Sequence, residues 1–250
     1  MSDAPLTGKL AELTAAVKDD LGMLARLHDR EADLMLLESL ADAGFPDGIG
    51  LRLQSQDARD AADYFSKALA RHAENPQHNI EELQVDYASI YLNHNYRASP
   101  YESVWTDDEG LERQEAMFQV REYYERHGLG VQNWNVRADD HLVTELLFLS
   151  HLFAKAEREE DMREVADFLD EHPLRWTGEF AHRVAERCET AFYAGTALIT
   201  SAYLQELRDL MADLFELPRL SEEELEKRVG AQQREEPEPM SCGPEAGPTW

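Results

Sequence analysis

Residues 139–156 read "DDHLVTELLFLSHLFAKA", and this stretch decides the fold class of the chain. Asp139 or Asp140 is suited to cap the start of a helix, because a carboxylate accepts hydrogen bonds from the free N–H groups of a first turn. Residues 146–149 are apolar on every side of that helix, which is typical of a helix in the middle of a bundle. The stretch therefore predicts an all-α fold built around one enclosed helix.

The same 3.6-residue period continues outward from this helix in both directions. No strand-like alternation and no internal repeat stands out. We predict a single all-α domain of about nine to eleven helices at residues 1–218. Residues 219–250 are predicted to form a short helix, opened by a Ser221–Glu224 capping box, and a disordered, acidic and proline-rich tail. The periodic segments are residues 7–43, 57–73, 79–93, 109–127, 160–172 and 177–216, the last as one very long helix or two stacked ones.

The composition narrows the class of protein further. The 250 residues are 43% hydrophobic and 30% charged, and no apolar run approaches the roughly 20 residues that span a bilayer. No export signal is visible at the N-terminus, so we expect a cytoplasmic protein without stable membrane insertion. The net charge of −27 argues against nucleic acid as a partner and favours basic peptides, unless the acidic surface serves only solubility.

Candidate catalytic and metal-binding groups are few. Asp140, His141 and Glu145 can share one helix face, but a catalytic zinc helix carries two histidines at this spacing. Glu179 and His182 form one carboxylate–histidine pair, whereas di-iron bundles need two. No nucleophile motif and no glycine-rich nucleotide loop is present. We therefore predict a binding protein with no catalytic residue, no metal and no cofactor. The enzymatic alternative is a helical, metal-dependent hydrolase that uses Asp140, His141 and Glu145.

A second stretch, "SPYESVW" at residues 99–105, interrupts the helices, since proline does not fit inside a helix. It follows "YASIY" at residues 87–91, and "RADDHLVTEL" at residues 137–146 begins some 35 residues later. In order and spacing, the three stretches resemble the signature of the TorD/DmsD family of molybdoenzyme-specific chaperones. Arg-Ala at residues 137–138 replaces the Glu-Pro that usually precedes the family's Asp-His pair, so the hinge before that pair lacks a proline.

The resemblance implies a TorD-like helical fold and a cytoplasmic chaperone. Members of the family bind the twin-arginine signal peptide and/or the apo catalytic subunit of a molybdopterin enzyme, and they assist cofactor insertion before export. The peptide groove is expected between residues 99–105 and the helix start at Asp140. The residues implied in signal-peptide binding are Tyr87, Tyr91, Pro100, Tyr101, Glu102, Ser103, Trp105, Asp140, His141 and Glu145.

Two further expectations come with the family. Its members exchange helical segments across the Asp-His hinge, which is compatible with a domain-swapped homodimer. The alternative partner is a mature subunit of a respiratory molybdoenzyme, since the nitrate-reductase branch of the broad family acts as an assembly factor of this kind. A test with an isolated signal peptide separates the two partners.

Overall fold

The computed structural model describes residues 5–74 and 76–232, with side chains described except at residues 72–79 and 231–232. Within these ranges the regular structure consists of eleven α-helices, one π-helical turn and one 3-10 turn, without a β-strand. This confirms the predicted all-α class and the predicted number of helices. The α-helices are α1 (Lys9–Asp29), α2 (Leu34–Asp42), α3 (Gln56–Glu74), α4 (Pro76–Tyr87), α5 (Ser103–Thr106), α6 (Glu115–Arg126), α7 (Leu142–Lys155), α8 (Met162–Glu171), α9 (Pro173–Arg187), α10 (Ala191–Phe215) and α11 (Glu222–Gln232).

The π-helical turn, Ala88–Leu92, continues α4, and the 3-10 turn, Glu159–Asp161, leads into α8. Among the described residues, no helix is both long enough and apolar enough to cross a membrane.

Helix α7, which carries residues 142–155, packs mainly against α1. Leu142, Leu146 and Leu149 are fully buried, but Leu147 is 51% exposed. The prediction that this helix is enclosed on every side is therefore wrong on one face. Helix α10 packs against α3 and α9 and buries Phe192, Tyr193, Ile199 and Tyr203 completely.

The start of α7 is capped by His141. Its Nδ1 atom accepts a hydrogen bond from the backbone N–H of Val143 at 3.1 Å. The predicted cap at Asp139 or Asp140 is wrong, because both carboxylates have other partners. Asp139 forms an ion pair with Arg121 at 2.8 Å. Asp140 accepts a hydrogen bond from the backbone N–H of Ser103, the first residue of α5, at 2.9 Å.

The periodic segment at residues 177–216 divides between two helices, α9 and α10. The break is held from outside, because the Asp86 carboxylate of α4 accepts the backbone N–H groups of Glu189 at 3.1 Å and Thr190 at 2.6 Å. These bonds satisfy N–H groups at the start of α10. A carboxylate about a hundred residues earlier in the chain thus selects two helices over one.

Helix α11 begins as predicted, since Ser221 N–H donates to Glu224 Oε2 at 2.9 Å and Glu224 N–H donates to Ser221 Oγ at 3.3 Å. It packs against α8, where Arg228 donates to the Asp167 carboxylate at 2.7 Å. The domain boundary predicted after residue 218 stays a prediction. The predicted disordered tail after α11 lies outside the described residues.

Candidate functional site

The turn at residues 99–106 and the start of α7 are joined by their backbones. Tyr101 and His141 form an isolated antiparallel bridge. Beside it, Leu142 N–H donates to the Pro100 carbonyl at 2.8 Å, and Glu102 N–H donates to the Asp140 carbonyl at 2.9 Å. We call this pairing of residues 99–106 with residues 140–142 the clasp. It brings two of the three signature stretches into direct contact.

The Asp140 side chain fixes the turn by hydrogen bonds to Ser103. Its Oδ2 atom accepts from Ser103 N–H at 2.9 Å and from Ser103 Oγ–H at 2.5 Å. Ser103 Oγ in turn accepts from the backbone N–H of Gln114 at 3.1 Å, which ties in the start of α6. Burial raises the pKa of Asp140 to about 6, against the hydrogen bonds from Ser103, which lower it. The Asp140 carboxylate is therefore fully buried, and its hydrogen bonds are made to groups within the protein.

His141 is a neutral, packed side chain. Its Nδ1 atom accepts from Val143, so the proton of the neutral ring lies on Nε2. The ring stands edge-on to Tyr101, with centroids 4.9 Å apart at 81°. Burial first, and then the charge of Arg137, lowers the pKa of His141 well below its usual value. The imidazole caps α7 and supports the Tyr101 ring.

A buried ionic cluster lies behind the clasp. Glu102 accepts from His172 Nδ1 at 3.0 Å and from Arg175 Nη1 at 3.3 Å, and Trp176 Nε1–H donates to Glu145 Oε2 at 3.2 Å. Glu102, Glu145 and His172 are fully buried. Burial, followed by the charges of nearby carboxylates, raises the pKa of Glu145 well above its usual value. The cluster connects the turn to α7 and α9.

The sequence did not single out the α9 side of this cluster. His172, Arg175 and Trp176 lie in "EHPLRW" at residues 171–176, whose Pro173 is the first residue of α9. The local sign of a site here is a proline that begins a helix, directly after a histidine and three residues before a tryptophan. Their common partner, Glu102, is some seventy residues earlier, so the spacing along the chain does not reveal it.

Tyr87 and Tyr91 belong to a separate aromatic group at the end of α4. Their rings lie 4.7 Å apart, Tyr91 Oη lies 2.5 Å from His28 Nδ1, and Tyr87 Oη donates to the Asp29 carbonyl at 2.8 Å. Burial lowers the pKa of His28 to about 3. His28 was not expected at this site, because it lies at the end of an apolar helix stripe.

Arg137 joins this aromatic group to the clasp. Its Nη1 atom lies 2.7 Å from Asp29 Oδ1, and Nη2 donates to the Asp29 carbonyl at 3.1 Å. Its positive charge also acts on Tyr87, Tyr101 and His141. The arginine that replaces the family's glutamate therefore ties the hinge to the end of α1.

Only part of the predicted site reaches the surface. Pro100, Glu102, Ser103, Asp140 and the other clasp residues pack directly on one another, so no open groove separates the turn from the start of α7. Trp105 is half-buried, and its Nε1–H donates to the Ser99 carbonyl at 2.9 Å. Tyr87 borders an open pocket of about 780 Å³ between the α1–α2 connection and α4, lined also by Arg30, Glu31, Ala32, Asp33, Leu34, Met35, Ile80 and Gln84.

The three side chains of the hydrolase alternative have separate partners. Each accepts a hydrogen bond from a different residue: Asp140 from Ser103, His141 from Val143, and Glu145 from Trp176. In the described part of the chain, no group of three or more histidine, cysteine, aspartate or glutamate side chains is placed to hold a metal ion. This geometry gives the hydrolase alternative no support.

The fold and the clasp define an all-α protein with a buried polar cluster and an apolar pocket on its surface, which is the architecture of a helical binding protein. The family model described as nitrate reductase delta subunit matches residues 54–182, slightly more than half of the chain. The chain therefore belongs to that family. Its curated relatives include the chaperone protein TorD, so the resemblance to TorD-like chaperones is confirmed.

The relatives come from several bacteria. A chaperone protein TorD from Vibrio cholerae serotype O1 is 28% identical over 201 residues, which cover 77% of this chain and 84% of the relative. TorD from a second strain of that serotype is 29% identical over 143 residues, covering 54% and 64%, and TorD from Shewanella oneidensis is 30% identical over 137 residues, covering 52% and 61%. For these two, the chain spans less than two thirds of the relative's length. All three are named as chaperones, which agrees with the prediction of a chaperone family and not an enzyme.

Proposed function

We propose that this protein is a cytoplasmic chaperone that binds the twin-arginine signal peptide, and with it the apo catalytic subunit, of a molybdopterin-containing oxidoreductase. It holds the client while the cofactor is inserted and before export, and it uses no cofactor of its own. The observation that carries the proposal is the open apolar pocket at Tyr87, which is connected to the hinge before the clasp through Asp29 and Arg137. The TorD relatives support the class of function, and the pocket supports an apolar peptide as the ligand.

The pocket offers what the apolar part of a signal peptide needs. Leu34 and Met35 are 39% and 73% exposed, and Ile80 and Tyr87 line the opposite side. Unbranched methionine adapts to different apolar partners. Each 100 Å² of apolar surface removed from water contributes about 2.5 kcal/mol to binding before the entropic costs are counted. A peptide of varied apolar sequence can therefore bind here without a fixed set of side-chain contacts.

The ten residues implied by the resemblance divide into two roles. Tyr87, at the pocket, and Trp105, partly exposed, contact the peptide. The other eight hold the turn, the start of α7 and the aromatic group in place, because they are buried and bonded to one another. Substitution of a buried member therefore weakens peptide binding through loss of the folded turn. Tyr87 is itself only 6% exposed and bonded to Asp29, so its substitution also removes packing, and the partly exposed Trp105 is the member whose substitution reports most directly on contact with the peptide.

The test is calorimetric titration of the full chain with a synthetic twin-arginine signal peptide of a molybdoenzyme. Met35→Glu places a charge in the apolar pocket and is expected to weaken binding about tenfold or more, since an unpaired carboxylate loses solvation there. Trp105→Ala is expected to weaken it as well. The matched control is Leu214→Glu, at a leucine that is 46% exposed on α10 and does not line the pocket, and it should change the Kd little.

Two results would contradict this proposal in different ways. If wild-type protein binds no such peptide below the millimolar range, signal-peptide binding is wrong. If Met35→Glu and Trp105→Ala both bind as wild type does, the function stands but the site lies elsewhere.

The match to the nitrate reductase delta subunit family model favours one alternative, an assembly factor that binds a mature subunit of a respiratory molybdoenzyme. In that case an isolated signal peptide does not bind, while the catalytic subunit without its signal peptide does. Pull-down with the two forms of the subunit distinguishes the alternatives.

A further inference from the structure

The carboxylates of the clasp cannot bind the arginine pair of a signal peptide. Glu102, Asp140 and Glu145 are fully buried and hold internal partners. The pocket at Tyr87 has charges of both signs: Arg137 and Arg30 are cations there, and Glu31 and Asp33 are carboxylates, of which Asp33 already accepts the backbone N–H of Leu36. If the apolar part of the peptide fills this pocket, its arginines lie further along the surface, where a larger group of carboxylates can accept them.

A second groove provides such acceptors. It lies between α3, α9 and α10 and encloses about 790 Å³. Its floor is apolar and built from small side chains, with the Tyr64 ring, 42% exposed, on one wall. Its rim carries four carboxylates, and two arginines, Arg59 and Arg219, act on two of them from beside the groove. We call it the α3–α10 groove; the apolar lining is Ala61, Ala181, Leu198 and Ala202, and the acidic rim is Asp57, Asp60, Glu206 and Asp209.

Two of the four rim carboxylates of the α3–α10 groove, the half-buried Glu206 and the exposed Asp209, are held in place by bonds within the protein. Glu206 accepts the backbone N–H groups of Gln54 at 3.0 Å and Ser55 at 2.5 Å. Burial opposes ionisation of Glu206, but these bonds and the charge of Arg59 outweigh it and lower the pKa. Asp209 has one cationic partner, Arg219 at 2.7 Å, which leaves the rim with an excess of negative charge.

The geometry suits two neighbouring arginines. Asp57, Asp60 and Tyr64 lie at spacings of three and four residues on α3 and so share one helix face. Both aspartates are exposed at that face. Paired guanidinium groups can form bidentate bonds with carboxylates, while their planes and aliphatic stems lie on an aromatic wall. A lysine fits less well, because an ammonium group does not form the two parallel bonds.

The α3–α10 groove is also within reach of the pocket at Tyr87. The Tyr87 ring lies 6.0 Å from that of Tyr193 on α10, and Leu198 of the groove is five residues further along the same helix. Five residues span about 8 Å along a helix axis. Because Tyr193 is fully buried, a peptide that connects the two places passes around the core by a longer path, and an extended segment of roughly ten residues, at about 3.3 Å per residue, spans about 33 Å.

We propose that the α3–α10 groove binds the arginine pair of the client's signal peptide, with Asp57 and Asp60 as the main acceptors. This inference rests on the proposed function, because it assigns a part of the same peptide to a second place on the surface. The groove is apolar in its floor and acidic at its rim, which complements a segment that carries two arginines followed by apolar residues.

The experiment uses the full chain and two synthetic peptides, a twin-arginine signal peptide and the same peptide with both arginines replaced by alanine. Calorimetry measures each peptide with wild type and with the double variant Asp57→Asn/Asp60→Asn. Wild type is expected to bind the arginine peptide about tenfold or more tightly than the alanine peptide, and the variant should lose most of that ratio. The ratio in wild type should also shrink at high salt.

The matched control is Glu122→Gln/Glu125→Gln on α6. It removes the same charge at the same three-residue spacing from exposed positions outside the groove. This variant should keep the wild-type ratio, which separates local contact from the overall negative field.

The outcomes separate the inference from the proposed function. If the variant in α3 keeps the wild-type ratio of the two Kd values, the arginines do not bind at this groove, although the function stands. If the controls in α6 reduce the ratio as much, the effect is that of net charge and the inference is wrong. If wild type binds neither peptide, the proposed function and this inference fall together.

Discussion

Asp140 shows how one buried carboxyl makes the clasp sensitive to pH. Burial raises its pKa from 3.8 to about 6 in the folded protein. A carboxyl that holds its proton more tightly when folded stabilises the fold below the unfolded pKa, and this stability is lost as the pH rises through the folded pKa. Here the loss runs from about pH 4 to about pH 6 and amounts to about 3 kcal/mol at neutral pH.

The Asp140→Asn variant tests this assignment. Asparagine keeps an oxygen that accepts from Ser103 but does not ionise, so the variant should gain stability relative to wild type as the pH rises from about 4 to about 7. Urea unfolding of both proteins across this range measures the difference. Asp63→Asn, at a side chain that is 76% exposed beside Lys67, is the control and should show a nearly constant difference. Parallel curves for Asp140→Asn and wild type would mean that the carboxyl has the same pKa in the folded and unfolded states, which contradicts the assignment.

The sequence predicted which residues of the site belong together better than it predicted their exposure. Tyr101 and His141 meet as the order of the motifs suggested. The burial of Glu102 was not predictable, because it depends on His172 and Arg175, which α9 brings in from a distant part of the chain. A motif gives residue types and spacing, whereas exposure is a property of the packed helices.

At the scale of elements, α3 and α10 make a close contact at Gly195. Gly195 of α10 faces Phe65 of α3, and a Cβ atom added at Gly195 would lie 2.9 Å from the ring and 3.0 Å from the Cα atom of Phe65. Real Cβ atoms do not approach backbone so closely. The glycine therefore allows the two helices that form the α3–α10 groove to pack at this distance.

Gly195→Ala is expected to destabilise the protein by about 1–3 kcal/mol, because overpacking outweighs the better helix propensity of alanine. The matched control is Gly22→Ala in α1, where an added Cβ has no atom within 4 Å. That variant should be more stable by up to about 1 kcal/mol, since only the propensity changes. Thermal or urea unfolding of the two variants measures the opposite signs. Equal effects at the two positions would contradict the close packing of α3 on α10.

Helix positions followed from the 3.6-residue period, but several helix ends did not. The period continues through residues 188–190, where the chain breaks because Asp86 holds the N–H groups of the two residues that precede the next helix. At the start of α7, the candidate caps Asp139 and Asp140 are drawn away by Arg121 and Ser103, so His141 takes the cap. Each of these ends is decided by a side chain from another helix, which a local pattern does not contain.

At the scale of the whole molecule, the proposed peptide binding assigns the acidic charge and the two surface recesses to different stages. The net charge of −27 attracts a basic peptide from a distance, and salt weakens that attraction. The apolar pocket at Tyr87 and the α3–α10 groove act on contact, where apolar burial and paired charges decide affinity. Binding that is fast at low salt but still measurable at high salt follows from this division.

In the domain-swapped homodimer that the family resemblance implies, the connection between α6 and α7 would be the hinge at which the chain exchanges segments. Arg137 ties this hinge to Asp29 at the end of α1, the helix on which α7 packs. A domain-swapped homodimer opens the hinge, and Arg137 then leaves the Asp29 of its own chain. The contact therefore favours the monomer over the swapped dimer.

Arg137→Ala is expected to raise the dimer association constant about threefold or more, because an exposed ion pair contributes up to about 1 kcal/mol and each dimer loses two. Size-exclusion chromatography with light scattering, over a range of protein concentrations, measures the dimer fraction. Arg30→Ala is the control, since Arg30 lies 3.9 Å from the same Asp29 carboxylate but does not belong to the hinge. A dimer fraction that is unchanged in Arg137→Ala, or raised equally in Arg30→Ala, would show that the hinge is held by other contacts.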